Sequence, residues 1–293
     1  MGNAIKDRYN YESLRKLALD IKSVYSDFQT DGFLQATIDE TWEARELKDR
    51  ITRISENLGK YLPADFETAV GIMDQIVMNY GSWLDNYAGF FPGFVELYGR
   101  DEANWDISMA ALARYTQYAS SEFAVRWFII NHEERMMKQM YAWSKDENEC
   151  IRRLASEGCR PALPWGQALT GFKKDPAPIL PILRQLKADS SLHVRKSVAN
   201  NLNDISKTHP NLVMELAKDW YGKNAYTDWI VKHGCRTLLK KGSSEVLALF
   251  GYECAPSVEV QDFRLGETAI SIGEDVTFSF EILAEEASKI RLE

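Results

Sequence analysis

The sequence has little that would be expected of a secreted, lipidated or membrane-spanning chain. Its first residues, MGNAIKDRYNYESL, contain no apolar core of signal-peptide length, and Lys6 stands where a myristoylation signal requires Ser or Thr. No apolar run approaches the ~20 residues of a membrane span. These absences predict a cytoplasmic protein with no membrane partner. Cysteine and histidine are scarce as well. Cys150, Cys159, Cys235 and Cys254 show no C-x-x-C spacing, and His132, His193, His209 and His233 form no H-E-x-x-H. Neither a disulfide frame nor a metal site is expected, and buried free thiols are the expected state. No cofactor is expected either.

What is present is an ordinary globular composition, 293 residues with 45% hydrophobic and 27% charged side chains. The net charge of −8 argues against a nucleic-acid partner for the chain taken whole, but the charge is unevenly placed. Between Ile151 and Gly242 there are 16 Lys and Arg against 7 Asp and Glu, and the other 201 residues carry 19 against 36. A basic stretch inside an acidic protein is either a solvated face or a surface that meets a polyanion. Phosphate neutralisation by Lys and Arg supplies most non-specific nucleic-acid affinity.

Up to about residue 255 the apolar residues recur at helical spacing. In HVRKSVANNLNDIS, Val194, Val198, Leu202 and Ile205 lie within about 80° of one another at roughly 100° per residue, so one stripe is buried. Asp204 falls on the polar flank of that helix, with Ser197 and Asn200. Long segments such as EFAVRWFIINHEERMMKQMYAW and AYTDWIVKHGCRTLLKK read as further helices. Four of them open with an apolar residue followed by a basic one, Val125-Arg126, Ile151-Arg152, Val194-Arg195 and Val231-Lys232. The irregular intervals between these pairs bracket those of two-helix repeats. The predicted fold is all-α, a HEAT-like or armadillo-type helical repeat solenoid over residues 1–255. From Ser257 onward VEVQDFRL, DVTFSFEI and KIRLE alternate, and residues 256–293 read as a short, partial immunoglobulin-like β segment.

Three stretches, SSEFAVRWFI, IRRLASEGCRPALPWG and HVRKSVANNLNDISKTHP, resemble the bacterial DNA alkylation repair glycosylases built of HEAT-like repeats, the AlkC/AlkD superfamily and its AlkC branch in particular. The likeness extends through ELKDRITRISENLGKYLPADF and the β tail. It implies a monomeric enzyme of base excision repair that hydrolyses the N-glycosidic bond of 3-methyladenine and 3-methylcytosine in double-stranded DNA, without flipping the base. By the same resemblance the catalytic acids are Glu122, Glu157 and Asp204, Trp165 is their aromatic neighbour, and Arg153 contacts phosphate or carboxylate. Arg160, Arg195, Lys196, Lys232 and Arg236 join the expected DNA or lesion contacts.

The chemistry suits these residues. A base alkylated at N3 is already cationic and leaves readily, so the demand falls on the sugar, where positive charge develops at C1′ and O4′ and carboxylates can stabilise it. From pattern alone, each residue also fits a plainer role. Glu122 fits a first-turn acid paired with Arg126, and Glu157 a solvated partner of Arg153 and Arg160. Asp204 fits a fraying helix end, and Trp165 a loop packing residue. A repeat scaffold that cleaves nothing, and a DNA-damage-binding protein without turnover, remain the alternatives. Trp83, Phe90, Phe91, Phe94, Trp105 and Trp127 are expected in the core.

Overall fold

The computed structural model describes residues 4–81, 88–252 and 258–284. Asparagine and aspartate start several of its helices by accepting a hydrogen bond from a first-turn amide. Asn10 does so for α1 (Tyr11–Val24), and Asp65 for α4 (Phe66–Ile76), which follows α2 (Thr30–Thr37) and α3 (Leu47–Tyr61). Next come α5 (Phe90–Tyr98) and α6 (Trp105–Tyr115). The segment EFAVRWFIINHEERMMKQMYAW, expected as one helix, is two, α7 (Val125–Asn131) and α8 (Glu133–Trp143). His132, at φ −139° and ψ 49°, breaks the helical path, and Glu133 and Glu134 then complement the dipole of the new first turn.

Asn148 caps α9 (Glu149–Glu157), which precedes α10 (Thr170–Lys174), α11 (Leu180–Leu186), α12 (Leu192–Ser206) and α13 (Pro210–Trp220). Asn224 caps α14 (Ala225–Gly234), and AYTDWIVKHGCRTLLKK also splits, at Cys235, with α15 (Arg236–Lys240) and α16 (Ser244–Leu249) following. There Asn203 Oδ1 accepts from the Thr237 amide at 3.2 Å, which satisfies a donor that the break leaves open.

These helices stack as two layers. In one, α3 packs on α5 and α5 on α7, then α9 on α12 and α12 on α14; in the other, α4 packs on α6 and α8 on α11. This is the expected helical repeat arrangement, in which each helix buries one face against its neighbours. Val194, Val198, Leu202 and Ile205 of α12 are all buried, at roughly 1.5–3 kcal/mol each. The aromatics Phe90, Phe91, Phe94 and Trp105 are core as expected, Trp127 is half-buried beneath Arg100, and Trp83 lies outside the described residues.

The β segment is a two-stranded antiparallel hairpin, β1 (Val258–Leu265) with β2 (Phe278–Ala284), in the register Val258 opposite Ala284 and Leu265 opposite Phe278. Its expected third strand, KIRLE, lies outside the described residues, as does the junction near residue 255.

Candidate active site

Where α9 ends, its last turn and the residues after it carry Arg153, Glu157 and Arg160 at spacings of four and three, so all three side chains share one face. The neighbouring helix in the same layer, α12, brings Asp204 alongside, and the turn before α7 brings Ser120 and Glu122 from the other side. The result is a line of alternating charge. Arg153 Nη1 pairs with Glu122 Oε2, and Arg153 Nη2 lies 3.6 Å from Glu157 Oε1. Arg160 Nη1 reaches the same Glu157 oxygen at 2.6 Å, Arg160 Nε bonds Asp204 Oδ2 at 2.9 Å, and Lys207 Nζ closes the line on Asp204 Oδ1 at 3.1 Å. Ser120 Oγ donates to Glu122 at 2.8 Å and accepts from Arg153 at 2.7 Å.

The three carboxylates foreseen from the resemblance are therefore brought together, and two arginines hold them in place. The plainer roles fail on particulars. Glu122 pairs with Arg153, and the expected partner Arg126 spends its guanidinium elsewhere. The Glu157 side chain is only 7% exposed and that of Asp204 2%, so neither is a solvated pair or a frayed end. α12 runs on past Asp204 to Ser206, and the polar residues Ser197, Asn201 and Asn203 of the same helix are buried too, with Asn200 half-buried. Behind Glu157, Ser156 and Ser197 share a 2.6 Å hydroxyl contact, and Asn201 donates to the Ser156 carbonyl at 2.8 Å.

Burial alone would raise the Glu157 carboxyl, but Arg153, Arg160 and the Ser197 hydroxyl hold it below its ordinary value of 4.5. Burial likewise works against the charge on Arg160, and Glu157 and Asp204 outweigh it, keeping that guanidinium above its usual range. A folded carboxylate held low stabilises the protein fully above pH 4.5 and loses that contribution as pH falls through its folded value. Acid titration of the unfolding free energy should therefore show wild type and Glu157→Gln converging at low pH. A constant gap down to the acid limit would contradict the buried pairing. Ion pairs this deep are a poor source of stability, because desolvation costs several kcal/mol per ion before the Coulomb attraction offsets it. Such an arrangement is expected where charge is used.

The loop after α9 shapes the rim. Arg126 of α7, only 1% exposed, donates to the carbonyls of Gly158 and Arg160 at 3.0 Å each and to that of Gln167, fixing both ends of the loop. Burial lowers its pKa to about 10. At the tip, Trp165 has a left-handed backbone, φ +60°, and the residue is 69% exposed. Below it lies a cavity of about 460 Å³, lined by Glu122, Glu157 and Arg160, by apolar Ile51, Pro92 and Leu163, and by Lys48 and Glu96. Sequence reasoning passed over the last two. Glu96 is pushed up by burial, with Arg100 and Lys48 opposing.

The expected basic contacts divide. Arg195 donates to the Asp189 and Ser190 carbonyls and lies over Tyr226 at 4.2 Å, which explains the residue by packing, and Lys232 sits 5.9 Å from the Tyr221 ring. Arg236 bonds Asn200 Oδ1 at 3.1 Å beside the Asp204 end of the line, and Lys196 is exposed on α12.

A family model described as DNA alkylation repair enzyme matches residues 102–238, the span that holds Glu122, Glu157 and Asp204. The uncharacterized protein YhaZ of Bacillus subtilis (strain 168) is 46% identical over 290 residues, 99% of this chain and 80% of that protein. In three dimensions the chain is similar to the Pseudomonas fluorescens alkylpurine DNA glycosylase AlkC bound to DNA containing an abasic site analog. The TM-score is 0.82 and the identity 37%, over 98% of this chain and 78% of that one.

Proposed function

The chain belongs to the DNA alkylation repair enzyme family, on its AlkC side, and from that premise we propose that it is an alkylbase DNA glycosylase. Its substrates are duplex DNA carrying 3-methyladenine or 3-methylcytosine, and it releases the base by hydrolysis of the N-glycosidic bond. The observation that carries this reading is the row of Glu122, Glu157 and Asp204 held by Arg153 and Arg160, with Glu122 and Glu157 at the wall of the cavity beneath Trp165. As the bond to a cationic base breaks, the sugar becomes oxocarbenium-like. Glu122 and Glu157, which line the cavity, stabilise that charge and orient the attacking water, while Asp204 acts through Arg160 from beneath.

Trp165, exposed at the rim, meets the lesion-bearing strand, where cation–π attraction to a charged sugar or base contributes roughly 0.5–2 kcal/mol. Lys196 and Arg236 support the DNA backbone beside the carboxylates. Nothing in this scheme takes the base out of the stack, because the groups act on the sugar. None of it protonates the base, which sets the test. Duplexes with 3-methyladenine or 3-methylcytosine should lose the base, and a duplex with neutral hypoxanthine should not. Release of hypoxanthine at a similar rate would demand a general acid and contradict the scheme. Folded protein that binds the duplexes and releases nothing would be a damage-binding protein.

A further inference from the structure

The Trp165 loop is tied at its tip as well as at its ends, and the tie comes from a residue 117 positions away. Lys48, in the first turn of α3, donates from Nζ to the Trp165 carbonyl at 3.0 Å, and the same ammonium lies 5.2 Å from the Phe123 ring, next to Glu122. Left-handed backbone is uncommon for a residue with a Cβ, and it persists only where the surroundings impose it. Arg126 fixes the feet of the loop at Gly158, Arg160 and Gln167, and the apex is a turn in which the Gly166 amide donates to the Leu163 carbonyl at 3.0 Å across Pro164 and Trp165; to that local bond Lys48 adds a tie from outside the loop, on the Trp165 carbonyl itself. Lys48 and Trp165 also line both the cavity with the carboxylates and a second one of about 530 Å³, bounded by Ala4, Ile5, Lys6, Glu46 and Leu47. The Lys48–Trp165 bond thus lies where the two cavities meet, with open space on both sides of the loop tip.

We infer that Lys48 is a positioning residue for the glycosylase reaction, a latch that holds Trp165 in its left-handed conformation so that the indole projects from the rim toward the DNA strand seated on Glu122 and Glu157. The inference rests on the reading of the site as a glycosylase, and it makes a statement about the loop that holds independently. An exposed lysine beside a DNA site has an obvious competing role, contact with a phosphate. The two roles differ in what they require. The latch needs a donor that reaches the carbonyl. A phosphate contact needs the charge and shows itself in the salt dependence of binding.

The test uses the full chain labelled with 5-fluorotryptophan. The chain has eight tryptophans, and the Trp165 fluorine signal is identified by its loss in Trp165→Phe. In Lys48→Met, which keeps the stem and removes the donor, that signal should shift or broaden; in Lys48→Arg, which can still donate, it should stay near its wild-type position. Single-turnover base release should fall about 10- to 100-fold in Lys48→Met through misplacement of Trp165. The affinity for DNA and its salt slope should hardly change. In a Trp165→Ala background the Lys48→Met change should cost little more, since the two residues act as one unit. An unmoved Trp165 signal in Lys48→Met would overturn the latch, as would a salt slope reduced by about one, the mark of a lost phosphate contact. Absence of base release in wild type would sink the glycosylase reading, and the fluorine signal would still decide the latch.

Discussion

Arg126→Met should lower the unfolding free energy by about 3–5 kcal/mol, the range expected when one member of a buried, hydrogen-bonded charge site is removed. Three carbonyls, those of Gly158, Arg160 and Gln167, would lose their donor together, in surroundings where the arginine itself is 1% exposed. Methionine fills the volume and supplies no hydrogen bond. The loss should spread to the site, because Arg160 bears one of those carbonyls and its side chain joins Glu157 to Asp204. Arg126→Lys should recover part of the stability, since an ammonium cannot serve three diverging carbonyls with the geometry of a planar fork. Urea unfolding of the two variants checks this. A cost below about 1 kcal/mol for Arg126→Met would show that the loop is held by other means.

Glu157→Gln should cut single-turnover base release by about 100-fold to 1,000-fold, the scale at which one preorganised electrostatic group acts on a developing charge. The substitution is nearly isosteric, and Arg153 and Arg160 keep Glu122 and Asp204 as partners, so the fold should survive at a cost of about 1–3 kcal/mol. Affinity for the lesion duplex should change by no more than a few-fold. Asp204→Asn should also lower the rate strongly with DNA binding retained, but for another reason. Its side chain is 2% exposed and both its oxygens are taken by Arg160 and Lys207, so it acts on the charge and position of Arg160. Variants that unfold outright would instead show that the line of charge serves structure alone.

The scaffold was largely legible from periodicity. The stripe of α12 reads directly from Val194, Val198, Leu202 and Ile205, and caps such as Asn148 and Asn224 sit at the helix starts where short polar side chains belong. The break at His132 was not legible, because apolar residues at helical spacing run on both sides of it and Glu133 and Glu134 continue as good helix formers, so Asn131-His132 alone carries little signal. The carboxylates came from the resemblance, since spacing by itself suits a surface ion pair equally well; what distinguishes Glu157 is its burial, together with the Ser197 hydroxyl that reaches it from α12. Arg126 looked like a repeat signature because its partners are backbone carbonyls 32 to 41 residues away. Trp165 carries no glycine or asparagine to mark its left-handed backbone, and the remaining signal is the turn around it, Pro164 before and Gly166 after, closed by the Gly166 amide on the Leu163 carbonyl.

The central claim is that a wall of arginine-held carboxylates hydrolyses the bond between sugar and alkylated base. The most direct measurement is chromatographic quantitation of free 3-methyladenine and 3-methylcytosine released from methylated duplex DNA, in EDTA, by wild type and by Glu157→Gln at concentrations that saturate the DNA. The account predicts steady release by wild type, unaffected by EDTA, and near-background release by the variant at equal DNA occupancy. Equal release by the two proteins, with both folded and bound, would contradict it.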